Sequence, residues 1–236
     1  MTEERAARPL RVVLFDLDGT LIDSTDLILN SYEHTYRTLG RIMGREQIQA
    51  DFGLPLRDTL ERYFHGDELR RALEIYIDYN LRLHDDGVRQ IQGVAELVRR
   101  LREMDLRLGV VTSKARETAL RGLMLCRLDR FFEVVVARED TRRHKPEAEP
   151  IIYALASFEA DAAECAYVGD TPLDIEAARA AGVRPIAALW RPVARKAFDD
   201  WRPDAFAATP QEAADILESW RAAREHAEDG EAAQGA

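Results

Sequence analysis

Cysteine is scarce in this chain: Cys126 and Cys165 are the only two among 236 residues. A disulfide framework is therefore excluded, and a reducing, cytoplasmic setting is the expectation. Long apolar runs are missing as well. No stretch approaches the roughly 18 apolar residues of a membrane span, and the polar start, residues 1–11, carries no apolar leader segment. No membrane partner is expected. Positive charge is in deficit, with 33 Lys and Arg against 43 Asp and Glu and a formal net charge of -10 at pH 7. That argues against a broad nucleic-acid footprint, which needs clustered cations. It leaves room for a small anionic substrate, because the field inside a pocket can oppose the net charge. No internal repeat is visible. What is present is an ordinary globular balance, 46% apolar and 32% charged, sufficient for a packed core.

Four short apolar runs rich in β-branched residues stand out: VVLFD (12–16), LRLGVVTS (106–113), FEVVVA (132–137) and CAYVGD (165–170). VRPIAAL (183–189) reads as a fifth. Helical patterns lie between the later runs. In residues 93–104 the helical period puts Val94, Leu97, Val98, Leu101 and Met104 on one face; residues 115–125, 146–157 and 171–181 follow the next three runs. Strands alternating with helices predict an α/β fold, a Rossmann-like parallel sheet built from βαβ units. Residues 22–88 break the alternation. They are polar-rich and helical in pattern (27–39, 55–64 and 68–84) with no convincing strand, which predicts a helical domain inserted after the first strand. The core domain would then comprise residues 1–21 and 89–221. The Ala-, Glu- and Gly-rich end, 222–236, is expected to fray.

Ligands of open parallel sheets bind beyond the carboxyl ends of the strands. The residues just after each run are therefore the candidates. They are Asp16 and Asp18, then Thr112, Ser113 and Lys114, then Lys145, and finally Asp170 and Asp174. Carboxylates gathered this closely repel unless a cation joins them, and an all-oxygen donor set suits a hard ion such as Mg²⁺. The hydroxyls and lysine supply donors for a phosphate. With its charge compensated, a carboxylate can act as the nucleophile toward phosphorus. Positions i and i+2 of an extended segment face the same way, so Asp16 and Asp18 can address one phosphate together, Asp18 as general acid and base. Each group also has a plainer reading: Thr112 and Ser113 as caps of the following helix, Asp174 as a first-turn acid, Arg116 as a helix-face charge. His84 and both cysteines read as packing residues.

Four ordered motifs carry a resemblance: DLDGT (16–20), VVTSK (110–114), KP (145–146) and GDTPLD (169–174). Over residues 10–220 the chain resembles the haloacid dehalogenase superfamily. Within it, the likeness is to the branch of phosphoglycolate phosphatases and of a bacterial pyrophosphatase linked to HPr-phosphate metabolism. The resemblance implies a helical cap over residues 22–88 and an Mg²⁺-dependent phosphohydrolase working through an aspartyl-phosphate. It implies Asp16 as nucleophile and metal ligand, Asp18 as acid/base with its carbonyl on the metal, and Thr112 and Ser113 on the phosphate. Lys145 would steady the charged intermediate. Asp170 would be a metal ligand, and Asp174 would support a metal-bound water or the lysine. Lys114 and Arg116 are extra cations suited to a highly charged anion, and the loop around Gly53 lies where such caps reach substrate. One departure is Ala148, where relatives carry proline, which should loosen a helix entry. A small phosphorylated substrate is expected, pyrophosphate or phosphoglycolate, bound by a monomer or homodimer. The alternatives are a phosphosugar mutase, which shares the core, and a non-catalytic phosphate-binding module. A carbon–halogen hydrolase is disfavoured, since it needs no metal acids such as Asp18 and Asp170.

Overall fold

The computed structural model describes residues 9–191 and 195–222. Beyond Ala222, the segment expected to fray lies outside the described residues. The first run forms β1 (Val12–Phe15), and its neighbours follow as β2 (Ile22–Asp23), α1 (Thr25–Thr38), α2 (Arg45–Gln49), α3 (Leu56–Glu61), α4 (Gly66–Gly87) and β3 (Arg89–Gln90). The remaining elements are α5 (Val94–Glu103), β4 (Arg107–Val111), α6 (Arg116–Leu125), β5 (Val134–Val136), α7 (Glu149–Phe158), β6 (Cys165–Gly169), α8 (Pro172–Ala180), β7 (Arg184–Ala188), β8 (Ala205–Ala207) and α9 (Pro210–Ala222).

The sheet is parallel throughout, with six strands in the order β5-β4-β1-β6-β7-β8. The α/β reading of the sequence is thus the observed fold. Alternation along each strand splits the core into two layers. Val13 and Phe15 of β1 face a cluster with Leu97, Leu101 and Leu217 of α5 and α9, whereas Val12 and Leu14 face one with Ile151, Phe158 and Ala178 of α7 and α8. All four β1 side chains are buried. Each fully buried aliphatic or aromatic side chain contributes about 1.5–3 kcal/mol by leaving water, so the two layers hold the strand ends firmly.

Chain order reverses at β1. From there the chain runs to β4 and β5 on one side, then to β6, β7 and β8 on the other. Phe15 lies level with Val110 of β4 and Val168 of β6, so three strands end together. That crevice is where a parallel sheet opens for a ligand.

Residues 25–87 are all helix and loop, bracketed by a two-stranded antiparallel ribbon pairing Ile22 with Gln90 and Asp23 with Arg89. Helices α1 to α4 have their own apolar cluster, including Leu29, Tyr32, Tyr36, Leu60, Phe64 and Tyr76. Its aromatic rings pack closely: those of Tyr32 and Tyr76 meet at a tilt with centroids 4.7 Å apart, and those of Tyr36 and Phe64 stack at 5.6 Å. Three short elements are absent from the sequence reading: the ribbon, α2 and β8. Each has two to five residues, too few for periodicity to register. At Ala148 the helix entry is still formed, because Pro150 in the first turn of α7 supplies the fixed backbone angle.

Candidate active site

Beyond the end of β1 the chain turns sharply. Gly19 adopts φ +86°, and a Cβ there would stand 2.4 Å from Asp170 Oδ2 and 2.8 Å from Arg191 Cδ. Glycine is thus required twice, for the left-handed backbone and for the close approach of β6. The turn brings Asp16 and Asp18 to the wall of one cavity of about 350 Å³, together with Thr112, Ser113, Lys114, Lys145 and Asp170. Gly53 reaches the same cavity from the helical insert, and its carbonyl accepts a 3.0 Å hydrogen bond from Ser113 Oγ.

Lys145 organises the floor. Its Nζ donates to Asp16 Oδ1 at 2.7 Å and to Asp174 Oδ1 at 2.6 Å, and it is 3% exposed. Burial works against the ammonium, but Asp16 and Asp174 outweigh it and keep the lysine charged. Tyr167, in the middle of β6, sends its hydroxyl to Asp174 Oδ1 at 3.1 Å and lies 3.2 Å from Lys145 Nζ. Asp174 Oδ2 accepts from the backbone and side chain of Thr171, at 2.9 and 2.6 Å, as a capping box opening α8. Both oxygens of Asp174 are therefore engaged, and its work is to hold Lys145 and the helix start.

Asp16 is in the opposite state. Burial pushes its carboxyl up to about 8, with Lys145 opposing and Asp174 and Asp170 adding to the rise. Asp170 rises to about 7, again mainly by burial, against the pull of Arg191. Its Oδ2 is buried and is met by the Arg191 guanidinium, Nε 2.9 Å away, as an ion pair. Oxygens of Asp16, Asp170 and Asp174 lie within 4.8 Å of one another. Clustered hard oxygen donors, on carboxylates that burial drives toward neutrality, fit a divalent cation there.

Asp18 differs from its neighbour. Burial would raise it too, but Lys114 at 2.7 Å and Ser24 outweigh that, and the carboxyl is held below its ordinary value. Its side chain is thus turned to Ser24 and Lys114, away from the three-carboxylate cluster. Thr112 Oγ1 accepts from the Lys114 amide at 3.2 Å, and α6 has no side-chain cap, so the plainer capping role is not what the hydroxyls do.

Arg116, expected to meet the anion, lies outside the cavity. It opens α6, pairs with Asp140 and donates to the Val135 carbonyl at 2.9 Å. Adjacency to Lys114 in sequence misled, because the helix start turns the side chain toward β5. Arg191 is the residue the sequence reading missed. It lines the cavity, with Nε 2.9 Å from Asp170 Oδ2, a hydrogen bond to Thr25 Oγ1 at 3.2 Å, and its guanidinium 5.3 Å from the Phe52 ring centre. It follows β7, so the strand-end rule that found the others would have found it.

A crevice of this composition at the end of a parallel sheet defines an enzyme of the phosphohydrolase class. The model of the haloacid dehalogenase-like hydrolases matches residues 13–188, and the chain belongs to that family. It is 42% identical over 198 residues to a protein of Caldanaerobacter subterraneus subsp. tengcongensis provisionally named pyrophosphatase PpaX, covering 84% of this chain and 90% of that one. It is 37% identical over 196 residues to pyrophosphatase PpaX of Anoxybacillus flavithermus, covering 83% and 91%. Among solved structures, a haloacid dehalogenase-like family hydrolase from Streptococcus pneumoniae superposes with a TM-score of 0.79 at 24% identity, over 88% of this chain and 98% of that one. Among the described residues, no helix is long and apolar enough to cross a membrane.

Proposed function

We propose that this enzyme hydrolyses small phosphate compounds in two steps, through a phosphoryl group carried on Asp16, with Mg²⁺ held by Asp16 and Asp170. The observation that carries the reading is the buried Asp16, hydrogen-bonded to Lys145 at the mouth of β1 and open to the cavity. When bound, the cation would neutralise charge on the transferring group.

Asp16 attacks phosphorus, and the bond from phosphorus to the leaving oxygen breaks. Lys145 offsets the charge on Asp16 beforehand and on the acyl phosphate afterwards. Thr112, Ser113 and the nearby amides orient the phosphoryl oxygens. Asp18, ionised as it stands beside Lys114, is set to take a proton from water in the second step. In the first step the substrate phosphate draws Lys114 toward itself. Asp18 then loses its counter-charge, rises, and can hold the proton it gives to the leaving oxygen. Water attack on the acyl phosphate returns Asp16 and releases phosphate. The helical insert, residues 22–88, serves as the cap, with Gly53 at its contact with Ser113.

Pyrophosphate is the substrate suggested by the names of the relatives, and phosphoglycolate the other member of the branch. Phosphate release from both, with Mg²⁺ and with excess EDTA, is the check. Metal-dependent release supports the reading. Release that persists in EDTA, or none from folded protein, contradicts it.

A further inference from the structure

The cavity has two unlike halves. On the sheet side stand four cations, and each already faces a carboxylate. Lys145 meets Asp16 and Asp174 at 2.7 and 2.6 Å, Lys114 meets Asp18 at 2.7 Å, Arg191 meets Asp170 at 2.9 Å, and Arg138 meets Glu139 at 2.9 Å. On the insert side the wall is mostly apolar: Ile28, Leu54, Ile77 and Leu81 line it, with the rings of Tyr32 and Tyr76. Among the described residues, no Lys or Arg of the insert lines the cavity. The one charged side chain the insert contributes is a carboxylate, Asp51, paired with Arg62. Its neutral polar group is Asn80, whose Nδ2 donates to Ser31 Oγ at 3.1 Å.

A single phosphoryl group at Asp16 meets Thr112, Ser113 and the lysines. A second one, placed toward the insert, would meet mostly aliphatic and aromatic carbon, a carboxylate and neutral hydroxyl and amide groups, with no cation of the insert to offset its charge. Desolvating that charge without a partner is unfavourable. Uncharged carbon in the same place gains by leaving water. The volume, about 350 Å³, lies in the range of organic-ligand pockets, about 300–1,000 Å³.

We infer that the preferred substrate is a phosphate monoester whose leaving group is an uncharged, largely apolar alcohol or phenol lying against the insert wall. This rests on the phosphohydrolase reading above and departs from the two substrates that the relatives suggest there. The chemistry balances as a hydrolysis. The ester oxygen leaves with a proton from Asp18, Asp16 carries the phosphoryl group, and one water is consumed to release phosphate. Ile77 is the most adjustable part of the wall, because it is 43% exposed and a longer side chain has room.

The experiment is steady-state phosphate release by the full chain with Mg²⁺, on phenyl phosphate, hexyl phosphate, pyrophosphate and phosphoglycolate, for wild type and Ile77→Lys. The expected result is a kcat/KM for the two apolar esters about tenfold or more above that for the two charged-leaving-group compounds. Ile77→Lys should then move the ratio about tenfold toward pyrophosphate and phosphoglycolate. A wild-type preference for pyrophosphate or phosphoglycolate overturns the inference and leaves the phosphohydrolase reading standing. No release from any of the four, with a folded protein, overturns both.

Discussion

Lys145 Nζ lies 2.7 Å from Asp16 Oδ1, across 129 residues of sequence, and neither group is open to bulk water. The pair joins the end of β1 to the loop before α7. Removing one partner leaves a buried charge without compensation, which costs about 3–5 kcal/mol. Lys145→Met is therefore expected to lower the unfolding free energy by about that amount, read by urea denaturation. An unchanged midpoint would show that the pair carries no such weight.

The turn after β1 is a second sensitive point. Gly19→Ala places a Cβ in a left-handed backbone position and against Asp170. A loss of more than about 1 kcal/mol is expected from the backbone alone. Catalysis should fall further than stability predicts, because Asp170 and Arg191 must shift. Comparing kcat with the melting temperature of the variant separates the two effects.

His84, at the end of α4, is fully buried, and its Nε2 has no hydrogen bond among the described residues. Burial lowers its affinity for a proton from the ordinary 6.5, with Lys114 and Arg121 adding to this and Asp85 opposing. The unfolded chain thus binds the proton more readily. Stability from this group is complete above pH 6.5 and is lost as pH falls through the lower folded value. His84→Gln should shrink the drop in melting temperature between pH 7.5 and pH 5.5. An identical drop in the variant would contradict this.

Cation binding can be read without turnover. If Asp16 and Asp170 hold Mg²⁺ in the folded state alone, saturation at a hundred times Kd adds about 2.7 kcal/mol of stability. The melting temperature should rise with MgCl₂ and not with matched NaCl. In Asp170→Asn the rise should be largely lost.

Much of the site is legible in the sequence because strand ends are. An apolar run followed at once by Asp16 and Asp18, or by Asp170 and Asp174, has few structural explanations when all strands run parallel. Arg191 lies just past the fifth run, where the strand-end rule points, but its partner, Asp170, follows a different strand, and only the tertiary structure pairs them. Tyr167 reads as one more apolar strand position, and only the tertiary structure shows its hydroxyl beside Lys145. Arg116 shows the converse failure, since closeness along the chain says nothing about which way a helix start turns a side chain. The insert is legible as helix from its 3.6-residue period, but its apolar cavity wall is not. Tyr32 and Tyr76 serve both the insert's core and the cavity, a double use that only the tertiary structure shows.

The proposed hydrolysis depends on Asp16 as the group that takes the phosphoryl. Its most direct check is Asp16→Asn, which keeps shape and removes the nucleophile. With Mg²⁺ present and folding verified by circular dichroism, phosphate release should fall by about 10³-fold or more on every substrate that wild type turns over. Release near the wild-type rate would mean that the phosphoryl group never rests on Asp16.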